Sequence, residues 1–344
     1  PRVLMHDFET VINTESSTGF SDANIDLFRE HAGIGAEQEL SSEVILEKFG
    51  EEWTDFRSWE NGQMCRIYRE AIRAAAPDCI FEIYSSYQSD RNRERHGTDW
   101  TYMAPQCDWV CCGYGRGPWQ KMHETLEGRP YCAGELVWGG DYPLDPIETT
   151  LFQRLTDAGA FLTFASQTLI DGRFFTAVSR ASQVAADFEP FFINFNRQDE
   201  LATGPDGEPR ADIAVLTHGN ERLITVFNAG PKLKELEITN LEVPDGVVAI
   251  EYADKQVLER PTQISASVPP WRVGVYALVA PRNGVPAAPE PVTEGAVSSH
   301  PVLRWTDPDE RTHRFEVQIA ATPEFDDPTI LSAIPGPVVH APDR

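Results

Sequence analysis

Two carboxylates stand two residues apart near the start of the chain, in His6-Asp7-Phe8-Glu9. In an extended strand such residues point to the same face, so Asp7 and Glu9 project into one space. Carboxyl groups held close together push their pKa values apart, which supplies the proton donor and proton acceptor of acid/base chemistry at neutral pH. The plainer alternative is a solvated Glu9 and an Asp7 that caps the following loop. A third carboxylate, Glu135, lies inside YCAGELVWGG among Cys132, Ala133, Leu136 and Val137. Burying it is costly without a partner or a task, so it reads either as a reacting group or as half of a structural ion pair. Trp138 follows, and an indole face is a platform for the apolar face of a sugar ring.

Weaker candidates surround these. Tyr84 and Tyr114 sit near strand ends, where they would hydrogen-bond a carboxylate, line a site or simply pack in a core. Gln167 and Asp171 close the last apolar run, although Asp171-Gly172 is equally turn chemistry. Glu82, in mid-strand, reads as a partner in an internal ion pair. His6 would shuttle protons or act as a ligand, or serve as a packing residue. All six cysteines fall in the first 132 residues, and no CxxC pair or His/Cys group has zinc spacing. Cys111 and Cys112 point to opposite faces of a strand, and with Cys79 and Cys132 they read as inert core thiols. No metal site and no cofactor are therefore expected. The absence of a GxSxG elbow argues against a serine hydrolase.

The elements that must position these groups alternate. Short apolar runs at Val3–Phe8, Cys79–Ser85, Trp109–Tyr114, Tyr131–Trp138 and Phe161–Ile170 are separated by helical patterns at Ala23–His31, Ser42–Ala76 (broken near Gly50 or Asn61), Trp119–Leu126, Pro146–Ala158 and Phe174–Phe191. That is the pattern of βα units around a parallel sheet whose strands are buried on both faces. Asp145-Pro146-Ile147-Glu148 predicts a helix start, with Asp145 as the cap, proline at the first position and glutamate at the third. Gly159 predicts its stop.

After residue 197 come polar turns and β-branched runs spaced near 10 residues, an antiparallel β-sandwich over 198–283. Residues 284–344 read as a Pro/Ala/Gly linker and the start of a fibronectin type III-like domain. A (β/α)8 barrel takes about 250 residues, so five units in residues 1–197 read as the last part of such a barrel, N-terminally truncated.

The chain has 344 residues and a formal net charge of −25, a field that repels phosphate backbones. Nucleic acid and anionic membranes are not expected partners, and no apolar run reaches the roughly 18 residues that span a bilayer. The first residues lack a signal peptide. Under the truncation reading that says nothing of compartment, and a secreted or periplasmic setting would go with a signal peptide in the missing segment. Oligomeric state is not legible.

The order of these features resembles strands four to eight of the clan A glycoside hydrolases, the barrels that include the β-galactosidases. The first strand ends in Asp7-Phe8-Glu9; later strands carry Tyr84, Tyr114 and Glu135, and the last precedes a β-sandwich. The resemblance covers about residues 1–281 and implies a glycosidase acting on an oligo- or polysaccharide. On that alignment Glu9 matches the acid/base and Glu135 the nucleophile of a retaining mechanism. Many clan members carry Asn directly before the acid/base Glu, whereas here Phe8 stands there and Asp7 precedes it. The choice between Asp7 and Glu9 is thereby open. Two carboxyl groups about 5 to 5.5 Å apart would mean retention, and about 6.5 to 9.5 Å inversion. The alternatives are a non-catalytic carbohydrate-binding or cell-surface protein, and a metal-dependent sugar isomerase or lyase using His6, Asp7, Glu9 and Glu135 as ligands.

Overall fold

The computed structural model describes residues 2–8, 18–114, 119–137, 142–166, 170–239, 241, 243, 247–253, 256–258, 262–280, 290–291, 302–306, 315–320, 322, 329–334 and 338–340. The first elements are β1 (Arg2–Asp7), α1 (Asp22–His31), α2 (Ser42–Lys48), α3 (Gly50–Ala75), β2 (Cys79–Ser86), α4 (Asp90–His96), α5 (Trp100–Met103) and β3 (Trp109–Tyr114). They continue as α6 (Trp119–Thr125), β4 (Tyr131–Val137), α7 (Ile147–Ala158), β5 (Gly159–Ala165), α8 (Gly172–Asp187) and α9 (Glu189–Ile193). Strands β1 to β5 lie side by side in chain order and every pair is parallel. Sequential parallel order with a helix between neighbours is the product of repeated βαβ crossovers.

The helical stretch from 42 breaks at Phe49, close to the predicted Gly50. Gly159 ends α7 with a φ of 97°, a left-handed conformation that favours glycine, and the chain enters β5 at once. That strand therefore starts two residues before the predicted run and stops at Ala165. The predicted capping of α7 is not made: the cap position is Pro146, without a side-chain bond, and Asp145 pairs with Arg173 instead. Helices α4 and α5 lie in a polar stretch with no apolar period, and they are held by the caps of Ser89 and Asp99.

The sheet has two unlike faces. Phe81, Ile83, Val110, Cys112, Tyr131 and Ala133 point to the helices and pack with Cys65, Trp100 and Met103. The opposite face holds a small core of strand residues only, Tyr84, Cys111 and Cys132 with Trp109, Ala160 and Leu162. On that face Val3, Met5, Ile80 and Phe164 are 36–59% exposed. Full burial would stabilise each by about 1.5 to 3 kcal/mol, so this is an open apolar face rather than scattered surface residues.

Strands β6 (Ile213–His218), β7 (Glu221–Phe227), β8 (Lys234–Ile238), β9 (Val248–Glu251), β10 (Gln256–Leu258), β11 (Ile264–Val268) and β12 (Val273–Val279) form two antiparallel sheets, β10-β9-β12-β7-β6 and β11-β8. Ile213, Val215, Ile224 and Tyr276 face the smaller sheet across a shared core. Ala214, Leu216, Leu223, Val273 and Val275 join a second core with α7 and α8. The larger sheet is thus covered on both sides, which is why β6 and β7 are nearly continuous in apolar character. In the last segment β13 (Glu290–Pro291), β14 (Val302–Thr306), β15 (Phe315–Ile319), β16 (Thr329–Ile334) and β17 (Val338–His340) form short antiparallel ladders. Residues 281–289 of the predicted linker lie outside the described residues.

At the entry to β6, Asp212 accepts hydrogen bonds from Arg210 Nε and from Lys234 Nζ, both at 2.9 Å. Burial pushes its carboxyl up, but these cations outweigh it and hold it at about 2. An unfolded aspartate titrates near 3.9, so the stabilisation is complete above about pH 4 and is lost as pH falls through about 2. Arg210 is more than a third exposed, and screening reduces the contribution to about 1 to 2 kcal/mol. Asp212→Asn should lose this at neutral pH and show a flatter stability between pH 4 and 2, as read by urea unfolding across that range.

Candidate functional site

Register decides which carboxylates can meet. Asp7 is the partner of Tyr84, Tyr84 of Cys111, and Cys111 of Cys132, and paired residues of parallel strands share a face. Asp7 and Tyr84 therefore lie on the open face, Asp7 exposed at the end of β1. Glu135 is three residues past Cys132 and so points to the helices. β2 and β3 also stand between β1 and β4 in the sheet. Asp7 and Glu135 do not flank a common bond, and the expected pairing of these two is corrected on that ground.

Glu135 is 5% exposed and fully engaged. Its Oε2 accepts from Arg154 Nε at 3.0 Å and Nη2 at 2.8 Å, and its Oε1 accepts from the Tyr142 hydroxyl at 2.7 Å. The Arg154 guanidinium also lies 5.8 Å from the centre of the Tyr87 ring. This is the structural ion pair that the sequence left open for Glu135. Arg154 was missed, although it replaces an apolar residue on the stripe Ile147, Leu151, Arg154, Ala158.

Tyr84 is buried, and its ring lies across β3: a Cβ on Gly113 would come 1.7 Å from its hydroxyl. Gly134 packs on the same spot, its Cβ position 2.6 Å from Gly113 Cα. Tyr84 is thus part of the floor of the open face. Asp171 caps α8, accepting from Arg173 N at 2.8 Å, and hydrogen bonds from Arg173 hold its carboxyl below its ordinary value. It does the turn chemistry that its glycine neighbour announced. His6 faces α3, its ring 4.4 Å from Tyr68, and burial lowers its pKa against the raising effect of Asp7. Glu9, Trp138 and Gln167, with the side chain of Tyr114, lie outside the described residues.

A second buried carboxylate went unread as such. Glu148, 2% exposed on α7, accepts from Arg272 Nη1 at 2.6 Å and the Val273 amide at 3.0 Å, and pairs with Arg180 of α8. The predicted helix-start glutamate ties two helices to β12 instead. All six cysteines are buried and free. No described helix is long and apolar enough to cross a membrane.

No family model and no curated protein matches this chain. Among solved structures, it is similar to a GH27 β-L-arabinopyranosidase from Geobacillus stearothermophilus (TM-score 0.41, 11% identity, 69% of this chain and 63% of that one). It is also similar to an α-amylase from Geobacillus thermoleovorans (TM-score 0.44, 12% identity, 63% and 57%). A GH30 endoxylanase from Clostridium papyrosolvens matches with a TM-score of 0.41 and 12% identity, over 81% of this chain and 89% of that one. The chain spans less than two thirds of the arabinopyranosidase and of the amylase.

Proposed function

We propose that this chain is a glycoside hydrolase, with acid/base chemistry on Glu9 and on Asp7 at the carboxyl end of β1. The observation that supports this reading is the placement of Asp7: an exposed carboxylate at a strand end, on the open face of a parallel sheet, where α/β enzymes hold substrates. Glu9, two residues on, is its partner in proton transfer. The substrate is an oligo- or polysaccharide. Glu135, bound by Arg154 and Tyr142, acts as a positioning residue for the end of β4 that leads to Trp138.

Hydrolysis of nitrophenyl glycosides and dye-linked polysaccharides tests the reading. Asp7→Asn or Glu9→Gln should lower the rate by about 10²- to 10⁴-fold, the usual worth of a general acid or base. Wild-type rates in both variants would remove the assignment. The engagement of Glu135 favours one second reading, a carbohydrate-binding protein without turnover. Retardation of the wild-type chain in polysaccharide-containing gels, with no hydrolysis on any substrate, would select it.

A further inference from the structure

Glu82 of β2, Cys111 of β3 and Cys132 of β4 bring a carboxylate oxygen and two sulfurs within 4.8 Å of one another on the open face. The register explains it. Cys111 and Cys132 are direct partners, and Glu82 lies two residues before Tyr84, the partner of Cys111 on the same face. Three strands separated widely in sequence each contribute one ligand-type side chain, so no local spacing announces the group.

Glu82 is the independent sign that something belongs there. It is only 9% exposed, and among the described residues no ion pair or hydrogen bond is recorded at its carboxylate. The buried carboxylates of Glu135 and Glu148 each have two or more donors. Partial desolvation disfavours the charged form, and a carboxylate without a protein cation is free to bind one from solution. The two thiols hydrogen-bond to each other, in a setting of Tyr84, Trp109, Ala160 and Leu162.

We propose that Glu82, Cys111 and Cys132 form a binding site for one Zn2+ ion. Two thiolates with one carboxylate are a donor set that suits zinc, with bond lengths of about 2.3 Å to sulfur and about 2.0 to 2.2 Å to oxygen. A tetrahedron with such arms has an edge near 3.8 Å, which the three ligand atoms reach by small side-chain rotations from their present separation. On binding, each thiol gives its proton to solvent and two S–Zn bonds and one O–Zn bond form, which leaves a fourth position for water. The ion would cross-link β2, β3 and β4 on the face that carries no helix. This site stands independently of the glycosidase reading.

Titration of the reduced, chelator-treated full chain with Co2+ tests it. The expected result is one Co2+ per chain, with thiolate-to-cobalt charge-transfer absorption and the intense visible bands of a tetrahedral site, both erased by an equivalent of Zn2+. Glu82→Gln, which removes the charge and keeps the shape, should weaken binding about 10- to 100-fold. Cys132→Ser should at least halve the charge-transfer band and weaken Co2+ binding; Cys111→Ser should do the same, and because Cys132 is the less enclosed sulfur its variant guards against misfolding of the other. Folding of each variant is followed by circular dichroism. Absence of the band in folded wild-type protein would overturn the proposal. An unchanged band in folded Glu82→Gln and Cys132→Ser would overturn it equally, by placing the ion on other cysteines.

Discussion

Replacing Arg154 with methionine should lower the unfolding free energy by about 3 to 5 kcal/mol, the cost of leaving a buried carboxylate without its cation. Glu135 would keep one donor, Tyr142, and lose two hydrogen bonds from the guanidinium. The loss of the Arg154 contact with the Tyr87 ring adds to this. The double variant Glu135→Leu/Arg154→Met should recover most of the stability, because no charge is then stranded between sheet and helix. Urea unfolding of the four proteins in a double-mutant cycle measures the coupling. A cost below about 1 kcal/mol for Arg154→Met would show that the ion pair does not hold Glu135. The same residues separate structure from chemistry. As a positioning residue, Glu135→Gln should retain glycosidase rate within a few fold at matched folded fraction. A loss of 10²-fold or more with unchanged stability would return Glu135 to the reaction.

Glu148→Ala should be nearly as damaging, at about 3 to 4 kcal/mol, through a different mechanism. Its carboxylate accepts from Arg272, the Val273 amide and Arg180, and charge-assisted hydrogen bonds contribute about 1.5 to 3 kcal/mol each. Both arginines are about a third or more exposed, so their freed guanidinium groups regain water and the sum is not fully lost. The buried Val273 amide has no such recourse. Glu148→Gln keeps an acceptor for that amide and should cost about half as much. The damage should also be local: hydrogen exchange at Val273 and Val275 should accelerate before exchange in β2 and β3, since the carboxylate joins α7 to β12. Uniform acceleration across both sheets would contradict that placement.

The alternation of apolar runs with 3.6-residue periods was enough to read the βα units, because a strand buried on both faces and an amphipathic helix leave unlike patterns. Gly159 was legible as a stop because an L side chain is strained at a φ of 97°. Glu135 was legible as a buried carboxylate that needed a partner, although its partner was not. Arg154 is 19 residues away and meets it only because both lie between sheet and helix layer. The helix-start pattern at Asp145 and Glu148 was read from local rules, and tertiary charge overrode them: Arg173 took Asp145, while Arg180 and Arg272 drew Glu148 inward. Period-two alternation gives each strand two faces without saying which one meets the helices, so only strand pairing could set Asp7 and Glu135 on opposite sides. The same pairing gathers Glu82, Cys111 and Cys132, three residues that no spacing connects, because parallel neighbours at equal register share a face however far apart they lie along the chain.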